Sequence, residues 1–249
     1  MKVTGERTST ASGGFNPTFQ RHAAGYGLAS RFFTGGGRII DLGCGVGHSY
    51  SLLPAPTVGF DIDRPSLQGQ GRPVTQGDIR TLPFREDSFD GVMSAQSIEH
   101  VPDPRRVVDE ARRVLRPRGV AVFITPNRLT FGRPDEIIDP FHFIEFDPQQ
   151  LSSLCRESFR DVDVWGIRGT ERYAAFDARE HLKLERLLRL DALHLRRLVP
   201  LRAKQVLYDR GVTWLRRKSD TLAASITTDD FYLSHEDLDS CLDVVAVCR

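Results

Sequence analysis

The sequence predicts an α/β fold, a parallel sheet with helices on both faces, and three observations predict it. Short β-rich runs alternate with helical or turn-rich segments from residue 38 to residue 125. One of these runs empties into a glycine-rich loop, Arg38-Ile-Ile-Asp-Leu-Gly-Cys-Gly-Val-Gly-His48. One connecting segment reads residue by residue as a crossover helix, the link that parallel strands require.

Taken in order, residues 1–14 are polar and read as an arm, and Phe15 to Phe33 can be helical despite Gly25 and Gly27 until Gly35-Gly36-Gly37 breaks it. The β-rich runs are then Arg38–Leu42, Thr57–Ile62, Arg72–Gly77, Asp90–Ala95 and Val120–Thr125. In the crossover helix Asp103 can cap the N-terminus and Pro104 fits the first helical position, where its missing N–H costs nothing. Val107, Val108, Ala111, Val114 and Leu115 form one apolar stripe, and Arg116-Pro117-Arg118-Gly119 ends it. Beyond Pro126 the rhythm changes. Asp147-Pro148-Gln149-Gln150-Leu151 starts another helix, Val162–Trp165 reads as a strand, and Leu242–Val247 is a compact apolar strand near the C-terminus. Between them lies a Leu-rich stretch of helical period through Leu182, Leu184, Leu187, Leu188, Leu190, Leu193 and Leu195. The expected organisation is an N-terminal arm and helix (1–34), a core (35–169 plus 239–249) and a basic helical insertion (170–238), acting as lid or dimer interface.

Composition narrows the class. With 249 residues, 40% hydrophobic and 27% charged, the chain can bury a sizeable core and is not disordered. No apolar run approaches the roughly 20 residues that cross a bilayer, and the polar start lacks a signal peptide's apolar centre. Four cysteines without a CxxC pair read as reduced thiols, so a cytoplasmic location is expected. The net charge of +1 hides an asymmetry, because residues 172–218 carry a balance of +8 and the remainder −7. Nucleic acid is not the expected partner of that basic stretch, which offers only Tyr173, Phe176, Tyr208 and Trp214 for stacking and no reader motif.

In the glycine loop, Gly43, Gly45 and Gly47 let the backbone pass close under a ligand, although glycine turns also serve simply to pack helices on strands. The spacing is GxGxG with His48 in the sixth position, which misses the dinucleotide fingerprint GxGxxG. Asp41 ends the strand before the loop. Asp61 ends the next run, where a carboxylate can accept from both hydroxyls of a ribose, and Asp78 follows the third, placed to accept from an adenine amino group while Ile79 packs on the ring. Each acid alone is an ordinary turn or cap residue. Three at the ends of consecutive strands mark the edge at which open α/β sheets bind ligands.

As a set, Asp41-Leu-Gly-Cys-Gly-Val-Gly47, Gly59-Phe-Asp61, Gly77-Asp78-Ile79 and Leu82-Pro-Phe-Arg-Glu-Asp-Ser-Phe-Asp90 leading to Ser97-Ile-Glu-His100-Val resemble the class I S-adenosylmethionine (SAM)-dependent methyltransferases of type 11. The resemblance implies a Rossmann-like, mostly parallel seven-stranded sheet with its last strand antiparallel and helices on both sides. It implies SAM as cofactor and S-adenosylhomocysteine as product. Asp41, Gly43, Cys44, Gly45 and Gly47 would surround the methionine part, Asp61 and Ile62 the ribose, Asp78 and Ile79 the adenine, with Gln96 on the floor of the site. A narrower likeness, through Val3-Thr-Gly-Glu-Arg7, Arg21-His22 with Tyr26, Thr125-Pro-Asn-Arg-Leu-Thr-Phe131, Pro140-Phe-His142 with Glu145, and Thr228-Asp-Asp-Phe231, is to mycobacterial methyltransferases that O-methylate sugars of a polymethylated polysaccharide. The insertion does not share that likeness.

A hydroxyl acceptor must lose a proton, so a base or a metal helps. His100, just past the fourth strand, is the leading candidate, against a structural histidine at a helix start. Glu99 could orient it or bind a metal, and is equally an ordinary acid near a helix start. His142 and Glu145 sit in the aromatic loop Phe141-His-Phe-Ile-Glu-Phe146, which could fold over the acceptor or simply pack. These four residues contain ligand types of a hard-metal site, so Mg2+ is an open alternative, weakened by Gln96 where similar quinone methyltransferases carry Glu. Arg21 and Tyr26, with His22, fall one helical turn apart and could reach the cofactor's carboxylate, or form a solvated face. The expected function is O-methylation of a hydroxyl on a sugar, oligosaccharide or other small molecule. The rivals are methylation of a quinone, lipid or other natural product, and a non-catalytic SAM-binding protein. No stable membrane association is expected, and the oligomeric state, a homodimer included, is open.

Overall fold

The computed structural model describes residues 15–131, 136–189, 199–216 and 221–249. The arm, and Leu190, Leu193 and Leu195 of the expected stripe, lie outside the described residues. The chain runs through α1 (Asn16–Ala29), β1 (Ile39–Leu42), β2 (Thr57–Asp61), α2 (Arg64–Leu67), β3 (Val74–Gln76), β4 (Phe89–Ala95), α3 (Pro104–Val114) and β5 (Leu115–Pro126). It continues through α4 (Pro148–Arg156), β6 (Val162–Gly169), α5 (Glu171–Arg189), α6 (Leu201–Arg216), α7 (Thr221–Ser225), β7 (Phe231–Ser234) and β8 (Asp243–Cys248).

The strands form one sheet in the order β3-β2-β1-β4-β5-β8-β6-β7. β3, β2, β1, β4 and β5 pair in parallel, and β8 enters antiparallel between β5 and β6. The sheet is Rossmann-like and mostly parallel, as expected, but it has eight strands rather than seven. Phe231–Ser234, which sequence reading leaves inside the insertion, adds an antiparallel edge strand to β6. Four residues are too short a run to announce themselves by alternation, and β6 supplies the pairing that makes them a strand.

Alternation along the central strands sorts the core into two layers. Ala121 and Phe123 of β5 join Val107, Val108 and Ala111 of α3 and Leu151 of α4 on one face. Val122 and Ile124 join Ala24 and Tyr26 of α1 and Tyr173 of α5 on the other. The stripe of α3 is fully buried, and Pro104 opens the helix as expected, but Asp103 makes no side-chain cap bond and pairs with Arg106 instead. Asp147 and Gln150 form a reciprocal capping box at the start of α4. α1 seats closely on the sheet because Gly25 has no side chain. A Cβ there would stand 3.4 Å from Ile124, with Ile167 also in contact. This seating brings α1 over the carboxyl ends of β1, β4 and β5, the edge where the candidate site opens.

Candidate functional site

A cavity of about 470 Å³ opens at that edge. Its lining includes the expected Tyr26, Gly43, Cys44, Gly45, Asp61, Ile62, Asp78, Ile79, Gln96 and His100. Arg21, Asp41, Gly47, Glu99, His142 and Glu145 are not among the lining residues; they stand behind it.

The glycine loop is a backbone cradle held from below. At Gly43, with φ +70°, a Cβ would come within 2.4 Å of the Ser97 side chain, so only glycine lets the loop lie against the end of β4. The Gly45 N–H donates to Asp61 Oδ2 (2.8 Å) and the Asp63 N–H to Asp61 Oδ1 (2.8 Å), which fixes this carboxylate at the cavity wall with lone pairs to spare. Gly47 works on the opposite side. A Cβ there would collide with Gln70, whose Nε2 reaches beneath the loop to donate to the Gly45 carbonyl (2.8 Å).

Asp41 departs from its expected place. It is fully buried, accepts from Tyr26 Oη (2.8 Å) and forms an ion pair with Arg72 Nη2 (2.8 Å), so it braces α1 and the loop rather than facing a ligand. Arg21 is likewise diverted. It forms a bidentate pair with the buried Asp243 and also donates to the Leu242 carbonyl (2.8 Å). Asp78 lines the cavity but shares its carboxylate with Arg80, whose hydrogen bonds hold it below the usual carboxylate range. Cys44 presents a protonated thiol, pushed up to about 12 mainly by burial, so this wall is effectively apolar.

At the other end of the cavity, His100 Nδ1 lies 3.1 Å from the Phe141 carbonyl. A carbonyl only accepts, so Nδ1 carries a proton and donates. Behind His100, the Phe143 N–H donates to the Glu99 carbonyl (2.8 Å), which ties the aromatic loop to the turn after β4. His142 meets His100 edge to face at 4.9 Å. Its Nδ1 bonds Glu145 Oε1 (3.0 Å) and its Nε2 lies 4.0 Å from Asp139. Burial alone would lower its affinity for a proton, but the bond to Glu145 and the charges of Glu99 and Asp139 outweigh it, and the net shift is upward. Glu99 Oε2 accepts from Thr125 (3.0 Å) while Oε1 is buried without a partner, and burial pushes this carboxyl up.

Glu99, His100 and His142 each bring one possible metal-ligand atom within 4.8 Å of the others. One carboxylate and two imidazoles do not make the oxygen-rich octahedral shell that Mg2+ demands, and the Mg2+ alternative does not fit this donor set.

Sequence reasoning underrated two further lining residues, His22 and His48. His22 is drawn down to about 3, first by burial and then by His48, and burial lowers His48 as well, so both rings face the cavity neutral. The turn spacing of Arg21, His22 and Tyr26 was the available signal for His22. No helix among the described residues is long and apolar enough to cross a membrane.

Comparison with known proteins follows the same lines. Residues 40–123 match a family described as a methyltransferase domain. A probable SAM-dependent methyltransferase of Mycolicibacterium smegmatis is 31% identical over 99% of this chain and 94% of its own. One of Mycobacterium tuberculosis is also 31% identical, over 99% of this chain and 89% of its own. A rice 2-methyl-6-phytyl-1,4-hydroquinone methyltransferase is 31% identical but over only 55% of this chain and 44% of its own. Among solved structures, a SAM-dependent methyltransferase of Thermotoga maritima superposes with a TM-score of 0.57 at 18% identity, covering 93% of this chain and 90% of that one. One of Archaeoglobus fulgidus gives 0.56 at 17% identity, with 91% of each chain covered, and both likenesses concern the fold.

Proposed function

Because this chain belongs to the SAM-dependent methyltransferases, we propose that it methylates a hydroxyl oxygen, with a sugar or oligosaccharide as the preferred acceptor and His100 as the base. The observation that carries the hydroxyl reading is the placement of His100: the ring lines the cavity with Nδ1–H tied to the Phe141 carbonyl, so Nε2 is the nitrogen left for the acceptor. The sugar reading rests on the resemblance of the motifs quoted above to mycobacterial sugar O-methyltransferases.

The residues present fit the cofactor. Gly43 and Gly45 put backbone along the cavity wall, Asp61 offers a fixed carboxylate for the ribose hydroxyls, and Asp78 with Ile79 closes the adenine end. When bound, SAM supplies a methyl group on a sulfonium, an electrophile with a good leaving group. The protein then has to hold the acceptor oxygen in line and relieve it of its proton. His100 Nε2 receives that proton, and the Phe141 carbonyl keeps the ring oriented throughout. His142, held against His100 and anchored by Glu145, stiffens the wall on which the acceptor rests. The insertion covers this end through Tyr208, which donates to Asp139 (3.0 Å), and Gln205, which donates to the Pro140 carbonyl (3.2 Å). Within residues 170–238 we read α6 as this acceptor-side cover, whereas Phe231–Ser234 belongs to the sheet of the core.

Two measurements test the reading. Calorimetry should show binding of SAM and S-adenosylhomocysteine but not NAD, and Asp61→Ala should weaken both by about 1–3 kcal/mol, the range for lost charge-assisted hydrogen bonds. Unchanged affinity would remove Asp61 from the ribose site. Incubation with methyl-labelled SAM and a panel of oligosaccharides, phenols and amines should yield an O-methyl sugar, and an N- or C-methylated product would overturn the acceptor class.

A further inference from the structure

Gln96 is held in an unusual way at the floor of the cavity. Its backbone has φ +51°, a region that non-glycine residues occupy only when their surroundings compel it. Its N–H donates to the Ile124 carbonyl (2.8 Å), and its side-chain Nε2 donates to Asp243 Oδ1 (2.7 Å). Asp243 starts β8, paired with Pro126 of β5 on one side and Ile167 of β6 on the other, and it is 1% exposed. Its partner Arg21 donates to both carboxylate oxygens and cannot accept, so both oxygens of Asp243 are held as acceptors.

The orientation of the Gln96 amide follows. A carboxylate accepts only, so the NH2 group must face Asp243 and Oε1 must face away from it. Among the described residues Oε1 receives no hydrogen bond, although Gln96 lines the cavity. An oriented carboxamide oxygen with unused lone pairs calls for a hydrogen-bond donor from a ligand. The amino-acid tail of the cofactor carries such a donor, its ammonium. Asp41, the acid that sequence reasoning placed beside that tail, is closed off by Tyr26 and Arg72.

We infer that Asp243 is a positioning residue, which turns the Gln96 carboxamide so that Oε1 receives the ammonium of the bound cofactor. This rests on the cofactor reading above. Replacing Asp243 by Asn would leave Gln96 free to invert its amide. An Asn side chain can donate to Oε1, and the Gln96 NH2 would then meet the ammonium donor to donor.

The test needs no acceptor. S-adenosylhomocysteine has the ammonium, whereas methylthioadenosine keeps the nucleoside and sulfur but lacks the amino-acid tail. Calorimetry on the full-length protein should show S-adenosylhomocysteine weakened roughly 10- to 100-fold in both Asp243→Asn and Gln96→Leu, the scale of a lost hydrogen bond to a charged group. Methylthioadenosine should stay within about twofold of wild type in both, which also shows that each variant keeps a folded nucleoside site. A parallel loss of both ligands would mean that Asp243 serves only to hold the fold, and the inference falls. It falls equally if either variant binds S-adenosylhomocysteine as the wild type does. Failure of the wild type itself to bind S-adenosylhomocysteine would instead overturn the cofactor reading.

Discussion

The two ends of the cavity are built on opposite plans. At the nucleoside end the groups facing the ligand come from consecutive strand ends, and their supports are close in sequence: Asp61 is fixed by Gly45 and Asp63, and Asp78 by Arg80. At the other end stands His100, and its supports arrive from a loop forty residues on and from an insertion later still. At both ends, acids and imidazoles of the same chemical type divide into those that line the cavity and those that stand behind them. Asp41 and Asp61 end neighbouring paired strands, yet the first is sealed under Arg72 and the second opens on the cavity. What a side chain does is decided by its partner.

The sharpest way to break this contrast is to remove the facing group at each end. His100→Ala should lower turnover by about 10²–10⁴-fold while leaving S-adenosylhomocysteine affinity nearly intact, the reverse of the pattern for Asp61→Ala. If both variants lost affinity and turnover together, the two ends would be one cooperative unit and the division would fail.

A comparison of supporting pairs comes next in size. Asp41→Ala strands the Arg72 guanidinium in the interior, and breaking a buried pair in this way costs about 3–5 kcal/mol. Asp78→Ala breaks a pair whose side chains are both about one-third exposed (34% and 33%) and screened by solvent, so its loss should cost far less. Urea unfolding of the two variants should separate them clearly. Equal midpoints would show that Asp41 is not the brace its burial suggests.

Much of the nucleoside end was legible in the sequence because its physics is local. Glycines followed by an acid at the next strand end specify a cradle and a carboxylate within about twenty residues. The reacting end was legible only as an inventory. Arg21 looked free to meet a cofactor carboxylate, because nothing in a helical face reveals that its counter-charge waits at Asp243, 222 positions later. The bond from Gln96 to Asp243 spans 147 positions and is invisible to spacing in the same way. The eighth strand was missed for a related reason, since Phe231–Ser234 becomes a strand only by pairing with β6.

The smallest expected effect lies where the insertion meets the reacting end. His181 on α5 places Nε2 3.1 Å from the Thr130 carbonyl and Nδ1 3.1 Å from the Asp177 carbonyl, with Asp177 Oδ2 at 3.3 Å. All these groups only accept, so both ring nitrogens must donate and the ring is an imidazolium. The bond to Asp177, the main cause, raises its pKa to about 9 against a partial loss of hydration. A histidine whose folded pKa is raised contributes stability that is fully present below its unfolded value of about 6.5 and is lost as pH climbs through about 9. The side chain is 41% exposed, so solvent screening limits the contribution to below about 1 kcal/mol. Melting curves of wild type and His181→Gln should therefore differ most near pH 6 and converge by about pH 10. A difference that stays constant across that range would mean that His181 holds α5 by packing alone, and that the charged latch does not exist.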